Sequence, residues 1–577
     1  MRVSIVIATY NRRHLLARTL PTVLGQSWPA EEYEVVVVVD GSTDRTVDLL
    51  ASFAATGRLR FLTQPNRGPA AARNAGLRVA RGQLVLFLDD DILCDHGLVA
   101  AHVAAHRDGL IRLVFGPIFV APESGRSLAV AWTRRYTDDY IGRLTRERVA
   151  RPERDAFVDA NSSVPRETVL ALGGFDERFE RQGETADLGL RLWASGVPFV
   201  FEPGAVVQHI FEKSLADLVH TDARLLGRSE LLLCEKHPAL RARSPLGALG
   251  DGPLPRRLAR RAAARLPLSP DPLLAAGCLV AERLRAAPGA ERLGVALLQA
   301  RQGVELYRRA REQVGSWRAL DRRFGLAVPA LLYHHVGPAG PGRRPALSIS
   351  PRQFERQIAW LARAGYVGVR PSEWLAWRRG SASLPDRPVL ITFDDGYADS
   401  AAWALPVLRR HGFGAAVYVV TGELSGANRW DRPAGRELAL MSADQVRHWA
   451  AQGIEFGAHT RRHVDLPAVA ESRARDELVG SRDDLAGILG LAVASFAYPY
   501  GRWNAATLAA ARSSFELAFT VEEGLNSLWT DPHLLRRTMV QPSDTILDLA
   551  SRLTLGWSPL SRLRARAGRL RRVMSDE

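Results

Sequence analysis

Lysine and cysteine are both scarce in this 577-residue chain. Of 77 Lys+Arg residues only Lys213 and Lys236 are lysines, so arginine carries the formal charge of +15, in keeping with an alanine- and arginine-rich codon bias. A basic balance favours anionic partners such as nucleotide sugars, lipid-linked diphosphates or phospholipid headgroups. No nucleic-acid motif accompanies it. Cys94, Cys234 and Cys278 lie far apart without CxxC spacing, which excludes a disulfide framework and points to a reducing compartment. No uncharged apolar run reaches the length of about 18 residues that a membrane-spanning helix needs. MRVSIVIATYNRR runs straight into strand and helix signals, with no apolar region before a cleavage site. The expectation is a cytoplasmic protein that can rest on the inner membrane face.

The length is too great for one ordinary core and suggests about three or four domains, or two large ones with a connector. Strand signals at Val3–Ala8, Tyr33–Val39, Arg58–Leu62 and Leu84–Leu88 alternate with helix signals at Arg13–Gly25, Thr43–Phe53 and Gly68–Val79. That rhythm predicts an α/β fold with a mostly parallel sheet, whose ligands collect at the carboxyl ends of the strands. Thr9, Asp40 and Asp89–Asp91 fall on that edge. Leu84–Leu88 is short, β-prone and uncharged, as suits a strand buried on both faces. It ends in three consecutive carboxylates. Carboxylates about 5 Å apart repel by roughly 3 kcal/mol at an effective dielectric near 20, so Asp89, Asp90 and Asp91 call for a cation or wide solvation. An acidic turn without a ligand is the alternative.

SIVIATYNR at 4–12, VVVVDGSTDRT at 36–46, NRGPAAARNAGL at 66–77 and LFLDDD at 86–91 resemble the successive motifs of inverting family 2 glycosyltransferases with the GT-A fold. The resemblance runs from residue 1 to about 235. It implies that Thr9, Asp40, Arg73, Asp89 and Asp90 line the nucleotide sugar, and that Asp91, last of the DxD element, binds Mg²⁺ or Mn²⁺ on the diphosphate, where a hard cation serves as Lewis acid. GGFDERF at 173–179 and ETADLGLRLWASG at 184–196 resemble the acceptor half. Family members read Glu-Asp where this chain has Glu184-Thr185, and that Asp is the expected base. A threonine hydroxyl takes no proton at neutral pH, so Glu184 or Asp187 must substitute if the domain is active. His209, in the strand-like Ala205–Ile210, matches a third metal-ligand position of the family; alone it would read as a structural histidine.

Ser214–Glu235 has a helical pattern. Residues 238–327, rich in Pro, Ala, Leu and Arg, read as a helical connector with helices over Leu273–Ala286 and Ala290–Val314. Arg256, Arg257, Arg260, Arg261 and Arg265 form either a patch for an anionic membrane or a solvated face.

A second unit starts at Val328, with a strand ending in Tyr333-His334-His335 and a helix over Pro351–Ala364. RPVLITFDDG at 387–396 again ends a strand in adjacent carboxylates, and His459 and His463 stand four apart, a spacing that can bring two imidazoles to one metal. TFDDG, HTRRH and SFAYPYG at 495–501 resemble the first three motifs of NodB-type polysaccharide deacetylases, carbohydrate esterase family 4, over roughly 328–555. The resemblance implies a distorted (β/α) barrel, often of seven strands. Asp395, His459 and His463 would hold a divalent metal, usually Zn²⁺, with Asp394 as general base and the Tyr500 N–H on the oxyanion. Zn²⁺ with three protein ligands lowers the pKa of a water towards about 7, and an oxyanion contact is worth roughly 3–4 kcal/mol. The family's third-motif arginine is Ala497 here and its late histidine motif is not visible after Thr538; the resemblance to members that read FAYPYG implies an acid from the first strand, which makes His334 the candidate ahead of His335 and His533.

The expected architecture is therefore a glycosyltransferase domain at 1–237, a connector at 238–327 and a deacetylase domain at 328–577. The expected function is bifunctional. The domains would transfer a sugar from a nucleotide sugar to a carbohydrate or lipid-linked glycan and hydrolyse N-acetyl groups, the two steps acting in one pathway. The rival is a deacetylase whose first half only binds sugar or acts as a scaffold.

Overall fold

The computed structural model describes residues 2–55, 57–125, 127–147, 160–214, 217, 223–265, 271–284, 289–338, 348–430 and 437–564. The chain packs as two compact units: Met1–Leu240 with Ala263–Gln313, and Arg241–Ala262 with Val314–Glu577. The stretch expected as a connector is divided between them.

The first unit holds β1 (Val3–Thr9), β2 (Tyr33–Asp40), β3 (Leu59–Gln64), β4 (Leu84–Asp89), β5 (Ile92–Cys94), β6 (Leu113–Phe115), β7 (Ile118–Val120), β8 (Asn161–Pro165), β9 (Phe199–Phe201) and β10 (Val207–His209). Seven of them form one sheet in the order β3-β2-β1-β4-β8-β6-β9, and β5-β10-β7 form a small second one. The first four strands are parallel, and β8 runs antiparallel to both β4 and β6. Alternation along each strand feeds two cores. Ile5, Ile7, Leu86 and Leu88 pack with Leu16 and Leu20 of helix Arg13–Leu24, while Val6, Val85 and Phe87 pack with Ala70 and Leu77 of helix Pro69–Val79. That second helix lies so close that a Cβ on Gly76 would sit 2.5 Å from a Val6 methyl. The close approach carries Arg73 to the sheet edge.

Element ends follow local chemistry. The helix expected from Thr43 starts at Thr46, because Asp44 accepts the Thr46 N–H and hydroxyl while Arg45 takes a left-handed φ of 62°. The helix expected over Ser214–Glu235 is seen as Ala223–Lys236, with 215, 216 and 218–222 outside the described residues. Asp271–Arg283 and Ala290–Val314 are helices as expected, Ala286 lying outside the described residues. The arginine cluster is largely turned inward. Arg257 donates to Thr554 O, Arg260 to Ala248 O and Asp251 O, and Arg261 to Gly325 O. Three of its five members therefore serve backbone carbonyls, which argues against a membrane patch there. No helix among the described residues is long and apolar enough to cross a membrane.

The second unit holds β11 (Val328–Tyr333), β12 (His335–Val336), β13 (Ser348–Ile349), β14 (Val367–Val369), β15 (Pro388–Phe393), β16 (Ala416–Val419), β17 (Glu455–Ala458), β18 (Ser495–Ala497), β19 (Leu517–Phe519), β20 (Leu525–Asn526) and β21 (Thr538–Met539). Its main sheet runs β19-β18-β17-β16-β15-β11-β20, with β14 on β15 and β21 on β11. From β11 through β19 the pairings are parallel. The sheet curls until Leu535 bridges Phe519 and the nearby Thr538 and Met539 pair with Leu331 and Leu332. The segment 535–539 thus joins the two ends of a distorted barrel. Its apolar faces are covered by helices such as Pro351–Arg363, through Phe354, Ile358 and Leu361.

Candidate active sites

At the carboxyl edge of β1 and β4 the three aspartates point to different partners. Asp90 is buried and accepts from Thr9 Oγ1 at 2.6 Å and from Arg12 at 2.8 Å. The same Arg12 nitrogen reaches Asp91 at 2.6 Å. Burial raises the Asp90 carboxyl, Arg12 holds it down and Asp91 pushes it up, with a net rise. For Asp91 burial is outweighed by His209 and Arg12, and the carboxyl falls below its ordinary value. His209 lies opposite Ile92 in the β5–β10 pairing, and the Ile210 N–H donates to Asp91 O, which holds the His209 Nε2 3.1 Å from the Asp91 carboxylate. Asp91 Oδ1 is buried without a hydrogen-bond partner. One orphan carboxylate oxygen beside an imidazole suits a hard divalent cation that draws its remaining oxygens from a substrate's phosphates.

Asp89 faces the other way. Arg73 bridges it at 2.8 Å to Glu184, also at 2.8 Å, the first residue of helix Glu184–Ala194. Glu184 is buried, and its second oxygen has no hydrogen-bond partner. Asp187, one turn on, is differently placed. Its oxygens are taken up by Arg191 at 2.9 Å, Lys236 at 2.5 Å and His237 at 2.9 Å. Burial raises this carboxyl, but His237, Lys236 and Arg191 lower it further, so it is held below its ordinary value. Arg191, Lys236 and His237 thus occupy both Asp187 oxygens, whereas Glu184 keeps one oxygen without a hydrogen-bond partner. Asp40 accepts from Gln64 and from the N–H groups of Arg67 and Gly68, fixing the turn before helix Pro69–Val79.

In the second unit β15 delivers Asp394 and Asp395, and the loop after β17 delivers His459 and His463. The ligand atoms of Asp395, His459 and His463 lie within 4.8 Å of one another and all three residues are buried. His463 Nε2 is 3.2 Å and His459 Nε2 3.5 Å from Asp395 Oδ1, which has no hydrogen-bond partner. His459 Nδ1–H donates to Ala497 O at 2.7 Å, which leaves Nε2 with its lone pair towards a metal. Two imidazoles and a carboxylate around a common gap fit a Zn²⁺-like ion with an open fourth position. Asp395, Thr460, His463 and Tyr500 all have positive φ, four of the seven such non-glycine residues among those described. Strain of this kind, about 1–3 kcal/mol per residue, gathers at functional sites.

Asp394 is clamped by Arg537, whose two guanidinium nitrogens donate to its two oxygens at 2.6 and 2.7 Å. Burial raises the Asp394 carboxyl and Arg537 outweighs it, so the group stays below its ordinary value. For His334 burial lowers the imidazole against the opposing pull of Asp395 and Asp394, and it is neutral at neutral pH. His335 is tied to Asp399 at 2.5 Å. His533 contacts Phe515 O at 2.9 Å and its other nitrogen is 3.8 Å from Asp531. Tyr500, at φ 58°, sets its ring edge-on to His463 at 4.7 Å, and Trp430 stacks on the same imidazole at 4.4 Å.

Residues 4–166 match the model of "Glycosyl transferase family 2" and residues 381–514 that of "Polysaccharide deacetylase". The chain joins a family 2 glycosyl transferase domain to a polysaccharide deacetylase domain. The transferase domain is 33% identical over 219 residues to validoxylamine A glucosyltransferase of Streptomyces hygroscopicus subsp. jinggangensis, covering 34% of this chain and 52% of that protein. The chain thus spans about half the length of that relative. The deacetylase domain is 26% identical over 216 residues to the protein named putative polysaccharide deacetylase YxkH of Bacillus subtilis strain 168, 37% of this chain and 72% of that one. Among solved structures, the Streptococcus pyogenes deacetylase PplD in complex with acetate is 25% identical and covers 40% of this chain and 98% of its own, with a TM-score of 0.36.

Two arginines of these domains were not singled out from the sequence. Arg12 sits inside the quoted SIVIATYNR motif, yet nothing local says that its head joins Asp90 to Asp91. Arg537 lies beyond the matched residues 381–514. None of the motifs quoted from the sequence contains it.

Proposed function

We propose that the chain is a bifunctional enzyme that transfers a sugar with inversion from a nucleotide sugar and removes N-acetyl groups from a carbohydrate, both with a divalent cation. The observation that carries this reading is a matched pair of orphans: Asp91 Oδ1 and Asp395 Oδ1 are buried oxygens without hydrogen-bond partners, each beside an imidazole. Mg²⁺ or Mn²⁺ would be held by Asp91 and His209, and Zn²⁺ or a similar ion by Asp395, His459 and His463. When bound, such cations supply Lewis acidity toward the leaving diphosphate and toward water and the amide carbonyl.

The protein's own groups do the rest. In the transferase domain Thr9 and Arg12 orient Asp90, Arg73 holds Glu184 against Asp89, and the free Glu184 oxygen takes the acceptor hydroxyl's proton. In the deacetylase domain Arg537 keeps Asp394 ionised and aimed, Asp394 takes a proton from water, and the Tyr500 N–H donates to the acyl oxygen. His334, neutral at rest, relays that proton to the leaving amine.

Fusion supports sequential action on one glycan, an N-acetylhexosamine being added and then deacetylated. Thr185 favours the rival in which the first domain only binds sugar. The test is nucleotide-sugar turnover and acetate release by the full chain, with and without chelator. Asp91→Ala should abolish only the first and His463→Ala only the second. Donor binding without turnover across a broad acceptor panel would establish the rival.

A further inference from the structure

Helix Leu128–Glu147 of the transferase domain carries an aromatic ladder. Trp132, Tyr136 and Tyr140 recur every fourth residue, so they share one face. Their rings are nearly parallel, 14° and 7° apart, with centroids spaced 6.3 and 6.5 Å. A core stripe would be hidden, but Tyr136 is 59% exposed. Beside the ladder lies a cavity of about 370 Å³ whose lining includes Tyr136, Tyr140, Phe115, Asp89, Ser162 and His209. It therefore opens on the carboxylate that Arg73 ties to Glu184.

The helix is braced from outside the family-matched segment. The Leu128 N–H donates to Glu282 at 2.5 Å, and Leu128, Ala129 and Val130 pack against Cys278, Val295 and Leu298. A Cβ on Gly294 would come within 2.8 Å of a Leu128 methyl. Helices Asp271–Arg283 and Ala290–Val314 thus hold one end of the ladder helix in place, a use for part of the stretch that reads as a connector.

We propose that the ladder and its cavity bind the sugar rings of an oligosaccharide acceptor, with the terminal residue seated beside Asp89. A pyranose presents a flat C–H face and a rim of hydroxyls, which calls for aromatic surface edged by a few polar groups. Ser162 and Asp89 supply such an edge. A polyprenyl chain would want a continuous apolar channel, and Asp89, Asn161, Ser162 and His209 in the cavity lining interrupt one. The acceptor is then a preformed glycan chain, and the inference rests on the sugar-transfer reading of this domain.

The test is calorimetric titration of the full chain with the N-acetylglucosamine tetramer, in an Asp394→Asn background that cannot consume it. Two sites are expected, one per domain. Tyr136→Ala should remove one of them or weaken it about tenfold, Tyr136→Phe should keep it, and UDP-sugar affinity should stay unchanged in both. Tetramer binding that Tyr136→Ala does not alter, or a single site insensitive to it, overturns the proposal. Loss of UDP-sugar binding in the parent chain, with ladder-dependent tetramer binding intact, would instead count against the transferase reading alone.

Discussion

Replacing Arg537 by methionine isolates the clamp on Asp394. Arg537 is fully buried and gives Asp394 both of its charge-assisted bonds. Burial raises this carboxyl and Arg537, followed by His459 and His334, outweighs it, so without the guanidinium the carboxyl should rise. Removing one partner of a buried pair costs about 3–5 kcal/mol. The pH dependence carries the sign. In the wild type a depressed pKa contributes stability that is present above the unfolded value of about 3.9 and is lost as pH falls through the folded value. In Arg537→Met the folded value should rise, with His459 and His334 still pulling it down, so the stability that Asp394 contributes at neutral pH shrinks. Denaturant unfolding of both proteins at about pH 5 and about pH 8 should show a destabilisation that grows with pH. Acetate release should fall by about 10²-fold or more at neutral pH, its acid limb moved upward. Asp394→Asn added to Arg537→Met should return much of the stability, because it removes the stranded charge. A loss below about 1 kcal/mol that is equal at both pH values, with an unmoved acid limb, refutes the clamp.

Glu184→Gln should lower sugar transfer by about 10²-fold or more with donor affinity kept, whereas Asp187→Asn should mainly destabilise the first domain, by about 3 kcal/mol, because it breaks a buried ionic cluster; the reverse pattern in kinetics and unfolding would exchange their roles. Burial holds His102 at about 4, with Asn161 pulling upward and His106 downward, against about 6.5 unfolded. The unfolded chain therefore binds the proton first, and the first domain should lose about 3 kcal/mol as pH falls from about 6.5 to about 4. His106, lowered to about 4 by burial and Arg112, adds a slope of its own, so His102→Gln should remove only the His102 share, and an unchanged slope would mean that this imidazole is not buried neutral. His334→Ala should leave metal content unchanged and slow acetate release with an altered pH–rate profile; full activity with the parent profile would reduce it to a strand-end histidine.

The sequence by itself determined the two carboxylate-bearing sheet edges. Charge-free strands that end in Asp89–Asp91 and Asp394–Asp395 announce both buried sheets and the ends where charge must emerge, because the continuous apolar run and the abrupt carboxylates are local properties. The His459/His463 spacing is equally local. What the sequence could not decide is which carboxylates stay free. Glu184 and Asp187 are one helical turn apart and look interchangeable on paper; only folding brings Lys236 and His237 onto Asp187 and a single Arg73 onto Glu184, because those partners arrive from positions about 50 and 111 residues away. Arg537 is the same case at 143 residues from Asp394. Its cationic head reaches Asp394 only because the segment 535–539 joins the ends of the curled sheet, a long-range pairing that no window of sequence contains. The aromatic ladder was written in the i, i+4 spacing of Trp132, Tyr136 and Tyr140, but a stripe at that spacing is more often core. Tertiary packing decided otherwise by bracing the other end of the helix and leaving Tyr136 at the mouth of a cavity.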